Sequence, residues 1–260
     1  MRVFCRDQGQ GEPVVLVHGL GASHRAFDEV ISTGGYRYLA VDLPGVGQSG
    51  AWASSSPPHI AERLQVHLAS MGVTRFRLFG HSFGGLVALS LAALEPQAIV
   101  SLVVASCPAM GLGEDAKSLL AHPMVAAMSG WLSRTTLPVP KPLVQGYLKW
   151  LWGDSGAVSD SAVAVAVENA RNPRFLPAMI ESLQSIAGYH VPVAALRQAT
   201  FDKAVLWGER DPLVSVIEGE RLAIAIGARL QVLTGVGHSL PEEAPFEVKA
   251  ALGGTQSPAP

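Results

Sequence analysis

With 260 residues and 48% hydrophobic side chains, the chain has ample apolar material for a sizeable core, built as one large domain or as one domain with an insertion. Its net charge of −2 and pI near 6.4 supply no basic face for nucleic acid or for an anionic membrane. Cys5 and Cys107 are too few and too far apart for a disulfide framework or a zinc site, so both read as buried small hydrophobes and no metal is expected.

Taken in order, residues 2–6 are expected to form an edge strand, followed by a glycine-rich turn over 8–13. Charges break the amino terminus where a signal peptide would need its apolar segment, and no apolar run reaches membrane-spanning length, so a soluble, cytoplasmic protein is expected. Val14-Val15-Leu16-Val17 and residues 36–41 are continuous apolar runs, which suit parallel strands buried on both faces. The first ends at His18-Gly19-Leu20-Gly21 and the second at Asp42-Leu43-Pro44-Gly45-Val46-Gly47-Gln48-Ser49. A helix over 58–71 leads to a third strand at 76–79, an apolar helix begins near Leu86, and 99–105 is a fourth strand. From about 108 to 190 the strand signal gives way to helical spacing, interrupted by Leu137-Pro138-Val139-Pro140-Lys141-Pro142 as a stiff hinge, and the stretch reads as an inserted helical lid. Strands return at 204–208 and 230–233, and the proline-rich end, 253–260, is expected to be a disordered tail. Strands alternating with helices give an α/β fold with a mostly parallel, doubly wound sheet, whose ligand site lies at the carboxyl ends of the strands.

Between the third strand and its helix lies Gly80-His81-Ser82-Phe83-Gly84-Gly85. Alone the G-x-S-x-G pattern is weak, but the strand before it and the helix after it supply the setting of a nucleophile elbow, where glycines permit a sharp turn and the serine hydroxyl points outward. A serine hydroxyl is a poor nucleophile at neutral pH and needs a base, with a further group to orient that base. In such a sheet the chain order is serine, carboxylate, histidine. Only His238 follows Asp211, the aspartate in the turn after a strand, whereas Asp115, Asp154 and Asp160 sit in the helical stretch and Asp202 begins a strand. Ser82, Asp211 and His238 are therefore the expected catalytic residues. His18, His81 and the 42–49 turn read as scaffolding, and Glu243 as a cap of the last helix.

Together these motifs resemble those of the α/β-hydrolase superfamily over nearly the whole chain. Val17-His18-Gly19-Leu20-Gly21 is similar to its oxyanion loop, the 42–49 turn to its D-x-P-G-x-G-x-S segment, Gly208-Glu209-Arg210-Asp211-Pro212 to its acid loop, and Gly237-His238 with Glu243 and Pro245 to its histidine loop. The short amino terminus departs from the family by lacking its usual first strand. The resemblance implies an oxyanion hole made by the backbone N–H groups of Leu20 and Phe83, and no metal or organic cofactor. It implies a serine hydrolase of a carboxylic ester or thioester with a small to medium, partly apolar substrate. The same triad also serves carbon–carbon bond hydrolases, enol-lactone hydrolases and slow-turnover ligand receptors.

Trp131, Trp150 and Trp152 are candidate linings of an apolar substrate pocket under the lid, beside Leu20 and Phe83. Between Lys117 and Trp152 the cations Lys117, Arg134, Lys141 and Lys149 meet no acidic residue. In relatives that cleave esters held on acyl carrier protein such a basic face meets the acidic carrier, so a carrier protein is a candidate partner.

Overall fold

The computed structural model describes residues 3–109, 111, 140–153 and 158–253. Seven strands form one sheet: β1 (Cys5–Gly9), β2 (Pro13–Val17), β3 (Arg37–Val41), β4 (Phe76–His81), β5 (Ile99–Ala105), β6 (Asp202–Gly208) and β7 (Arg229–Leu233). Their order is β1-β3-β2-β4-β5-β6-β7. The edge strand β1 is antiparallel to β3, and every other pairing is parallel. The expected mostly parallel, doubly wound sheet is present.

The apolar runs are continuous because the sheet is covered on both faces. Alternate residues leave a strand on opposite sides. Val15 and Val17 thus pack with Leu64, Leu86 and Leu222 on one face, while Val14 and Leu16 pack with Phe27, Val30 and Val248 on the other. The first layer holds α2 (Pro57–Ser70), α3 (Phe83–Leu94) and α8 (Val216–Ile226); the second holds α1 (Asp28–Ser32) and α10 (Pro245–Leu252). Helix α3 has ten of its twelve residues buried, which is why its sequence lacks a polar stripe. Each fully buried leucine or valine contributes about 1.5–3 kcal/mol.

Between β5 and β6 the described residues form α4 (Lys141–Leu151), α5 (Asp160–Arg171), α6 (Phe175–Ala187) and α7 (Val193–Gln198). Pro142 falls in the first turn of α4, where a missing N–H leaves no bond unmade, so the expected hinge ends inside a helix. The helical segment expected around 119–132, with Trp131, lies outside the described residues, as does the expected tail beyond Gly253. Among the described residues no helix is long and apolar enough to cross a membrane.

The first strand corrects the sequence reading. It runs over Cys5–Gly9 instead of 2–6, because its limits follow its partner: Cys5 opposes Val41 and Gly9 opposes Arg37. The Asp7 carboxylate receives a two-pronged bond from the Arg37 guanidinium at 2.6 and 2.9 Å, and Gly9 at φ +89° turns the chain away. Strands β2 to β7 all run the same way, so the loops after them collect at one end of the sheet. Those loops hold every candidate catalytic residue.

Candidate active site

Ser82 sits where β4 gives way to α3, at φ 52° and ψ −122°. It shares a positive φ with Ser106, and these are the non-glycine cases among the described residues. Such a conformation costs about 1–3 kcal/mol and persists only where its surroundings fix it. Here the Ser82 N–H donates to the Ala105 carbonyl at 2.8 Å and the Ser82 carbonyl accepts the Gly85 N–H at 2.8 Å. A Cβ at Gly84 would overlap the Val17 and His18 carbonyl oxygens, so the elbow can press against the end of β2 only with glycine there.

The second half of the site joins the loops after β6 and β7. His238 Nδ1 lies 2.8 Å from Asp211 Oδ2, with both side chains buried. The other carboxylate oxygen, Oδ1, accepts the N–H groups of Leu213 and Val214 at 2.9 Å each. Burial alone would raise the Asp211 pKa; the bond to His238, the His238 charge, the Val214 N–H and the neighbouring Ser106 hydroxyl together hold it below the ordinary carboxylate value. An ionised Asp211 can only accept, so His238 Nδ1 carries the proton of the shared bond, and in the neutral imidazole the lone pair is then on Nε2.

His238 is also held through its main chain. Its N–H donates to the Leu151 carbonyl at 2.9 Å, and its own carbonyl accepts His81 Nε2 at 2.7 Å. Glu243 brackets it, accepting the N–H groups of Gly237 and Ser239 at 2.8 and 2.9 Å. The expectation that Glu243 caps the last helix needs correcting. Helix α10 opens with Pro245, which has no N–H to satisfy, and the carboxylate turns back to the loop in front of α9 (Leu240–Glu243). Glu243→Ala leaves two loop N–H groups without their charged acceptor, and the expected loss is about 2–3 kcal/mol, to be read from urea denaturation.

On the other side of Ser82 runs the 18–21 loop. A Cβ on Gly19 would lie 3.0 Å from both Ser82 Cβ and His81 Nδ1, so this loop packs on the elbow. Among the described residues the N–H groups of Leu20 and Phe83 donate to no acceptor. For Phe83 this follows from its place in the first turn of α3. His18 fixes the loop from below: its Nδ1 donates to the Gly19 carbonyl at 2.8 Å and its Nε2 accepts the Leu43 N–H at 3.0 Å. Burial lowers its pKa against the pull of Asp42, which keeps the ring in this neutral form. Asp42, itself buried, accepts the N–H groups of His24 at 2.7 Å and Gln48 at 2.8 Å, folding the 42–49 turn around its carboxylate.

The tryptophans divide. Trp152 lies at the end of α4 with its main chain against Gly237, where a Cβ would overlap it, so it flanks the histidine loop. Trp150 is 44% exposed beside Tyr147, ring centres 6.0 Å apart. Of the four cations singled out in sequence, Lys141 is paired with Asp160 at 3.2 Å, and Lys117 and Arg134 lie outside the described residues. Among the described residues no group of three or more His, Cys, Asp or Glu side chains is placed to hold a metal ion. A cavity of about 630 Å³ lined by Arg77, Ser101, Asp202, Lys203 and Arg229 opens at the starts of β5 and β6, the end of the sheet opposite Ser82. Sequence reasoning passed over Ser106, which is buried at φ 44° beside Asp211 with its N–H donating to the Leu206 carbonyl at 3.0 Å, a long-range contact that leaves no local trace.

The profile of a family described as the alpha/beta hydrolase fold matches residues 12–245. The dihydrolipoyllysine-residue acetyltransferase component of an acetoin cleaving system from Pseudomonas putida is 27% identical over 93% of this chain; the chain spans about three-fifths (62%) of that relative's length. A 2-hydroxy-6-oxononadienedioate/2-hydroxy-6-oxononatrienedioate hydrolase from Cupriavidus pinatubonensis is 27% identical over 91% of this chain and 84% of its own. A pimeloyl-[acyl-carrier protein] methyl ester esterase from Aeromonas salmonicida is 38% identical over 42% of this chain and 43% of its own. Among solved structures, a thermophilic esterase from Thermogutta terrifontis superposes with a TM-score of 0.79 at 20% identity, covering 96% of this chain and 91% of its own, a likeness of fold.

Proposed function

The chain belongs to the alpha/beta hydrolase fold family, and from that premise we propose that it is a serine hydrolase cleaving a carboxylic ester or thioester of a small to medium, partly apolar substrate through an acyl-enzyme. The observation that carries the reading is the 2.8 Å contact of His238 Nδ1 with the buried Asp211 carboxylate, at the same end of the sheet as the strained Ser82. In the proposed reaction His238 Nε2 takes the Ser82 proton as the hydroxyl oxygen attacks the ester carbonyl. Asp211 stabilises the imidazolium, and the Leu20 and Phe83 N–H groups receive the oxyanion. The imidazolium then protonates the leaving alcohol or thiol as the tetrahedral intermediate collapses to an acyl-Ser82. Water, deprotonated by the same His238, adds to the acyl carbonyl, and the carboxylic acid leaves as Ser82 regains its proton.

The helices between β5 and β6 are the proposed lid, with Trp152 at its edge by the histidine loop. A second reading is favoured by the hydrolase from Cupriavidus pinatubonensis, which is named for 2-hydroxy-6-oxononadienedioate and 2-hydroxy-6-oxononatrienedioate: the same residues would then cleave a carbon–carbon bond next to a ketone. A carrier-held methyl ester is a third, supported by the partial match to the Aeromonas salmonicida esterase; the Lys141–Asp160 pair weakens the charge argument for it.

The test is a p-nitrophenyl ester series from acetate to laurate, run beside a vinylogous oxo-dienoate. Steady turnover of the esters, with an optimum at one chain length, supports the esterase reading and sizes the substrate site. Turnover of the oxo-dienoate alone replaces it with the carbon–carbon reading. A single burst equal to the enzyme concentration points to a slow-turnover receptor.

A further inference from the structure

His81 precedes the nucleophile, ends β4 and is 93% buried, its residual exposure being 7%. A carbonyl oxygen can only accept, so the 2.7 Å contact with the His238 carbonyl places a proton on His81 Nε2 and leaves Nδ1 bare. The bare nitrogen faces Gly19, at the foot of the loop that carries Leu20. The two imidazoles lie 5.0 Å apart, tilted by 56°. One side chain thereby touches the elbow, the 18–21 loop and the histidine loop.

We propose that His81 is a positioning residue for His238: by donating to the His238 carbonyl from the elbow side it fixes the imidazole above Ser82, and it sets the distance between nucleophile and base. The proposal rests on the hydrolase reading above.

The residue type follows from the surroundings. The groups that act on His81 are His238, Asp211 and His18, besides the Ser82 to which it is joined. Burial first, and then the neighbouring His238, press its pKa down to about 3, so the ring stays neutral wherever the triad works. A cation here would oppose the imidazolium that forms on His238 when it takes the serine proton. The position calls for a neutral donor of imidazole length. Glutamine meets that description and phenylalanine does not.

The experiment compares wild type, His81→Phe, His81→Gln and Ser82→Ala on the best p-nitrophenyl ester, with active sites counted by a fluorophosphonate and melting temperatures recorded. His81→Phe is expected to lower kcat per titrated site by about 10- to 100-fold with KM within about threefold, the size of effect that misplacing a catalytic group produces. His81→Gln is expected to regain most of that loss. If His81→Phe matches wild type per titrated site, or if glutamine is no better than phenylalanine at equal melting temperature, the positioning role is overturned and the hydrolase reading stands. If wild type neither turns over nor takes the fluorophosphonate at Ser82, the hydrolase reading falls and this role with it.

Discussion

Ser82→Ala is expected to lower kcat on a p-nitrophenyl ester by about four to six orders of magnitude, the range found when a member of such a triad is removed. The fold should survive, because the bonds that hold the turn use the Ser82 N–H and carbonyl, which alanine keeps. Ser82→Gly separates chemistry from strain. It should lose as much activity while gaining about 1 kcal/mol or more of stability, since glycine adopts φ 52° without the penalty a Cβ brings. Kinetics and thermal melts on both variants test this directly. A serine that served only the turn would give unchanged kinetics in Ser82→Ala.

Asp211→Asn is expected to lower kcat by about 10⁴-fold, somewhat less than the loss of Ser82. The reason lies in the two oxygens. Oδ1 accepts two main-chain N–H groups from Leu213 and Val214, so an asparagine keeps its carbonyl oxygen on that side and turns its NH2 towards His238. A donor facing Nδ1 forces the proton to Nε2, and the imidazole then has no lone pair for the serine proton. Asp202→Asn should leave kcat unchanged, because Asp202 stands at the start of β6 beside Arg229, 3.8 Å away. Stability should respond to pH as well. The Asp211 pKa is lowered in the folded chain, so its carboxylate contributes stability that is fully present above the unfolded aspartate value of about 3.9 and lost as pH falls through the lower folded value. Urea denaturation of wild type and Asp211→Asn across that acid range should differ in slope.

How much of this could be read from sequence depended on where the information was stored. Strands β2 to β6 have both faces buried, so their apolar runs mark them to within a few residues. The edge strand β1 carries Asp7 and Gln8 towards solvent and takes its limits from β3, so local pattern misplaced it. Asp211 and His238 could be singled out because chain order in this kind of sheet prunes the alternatives, and the structure brings the two side chains to 2.8 Å. Glu243 was visible as part of a motif, but its partners, Gly237 and Ser239, lie behind it in the chain and its direction could not be inferred. The contacts of His81 with His238 and of His238 with Leu151 span 157 and 87 residues, and nothing local encodes them.

The bond from His238 N–H to the Leu151 carbonyl has a consequence for how the activity could diversify. It is made by main-chain atoms on both sides, and the turn beyond it is fixed by Gly153, where a Cβ would overlap Arg210 of the acid loop. The helix arriving there is therefore plugged into the loops that carry Asp211 and His238 by a socket indifferent to its side chains. Leu143, Tyr147 and Trp150, which α4 turns outward, are free to be exchanged in a library or over evolutionary time while His238, the proposed base, keeps its seat.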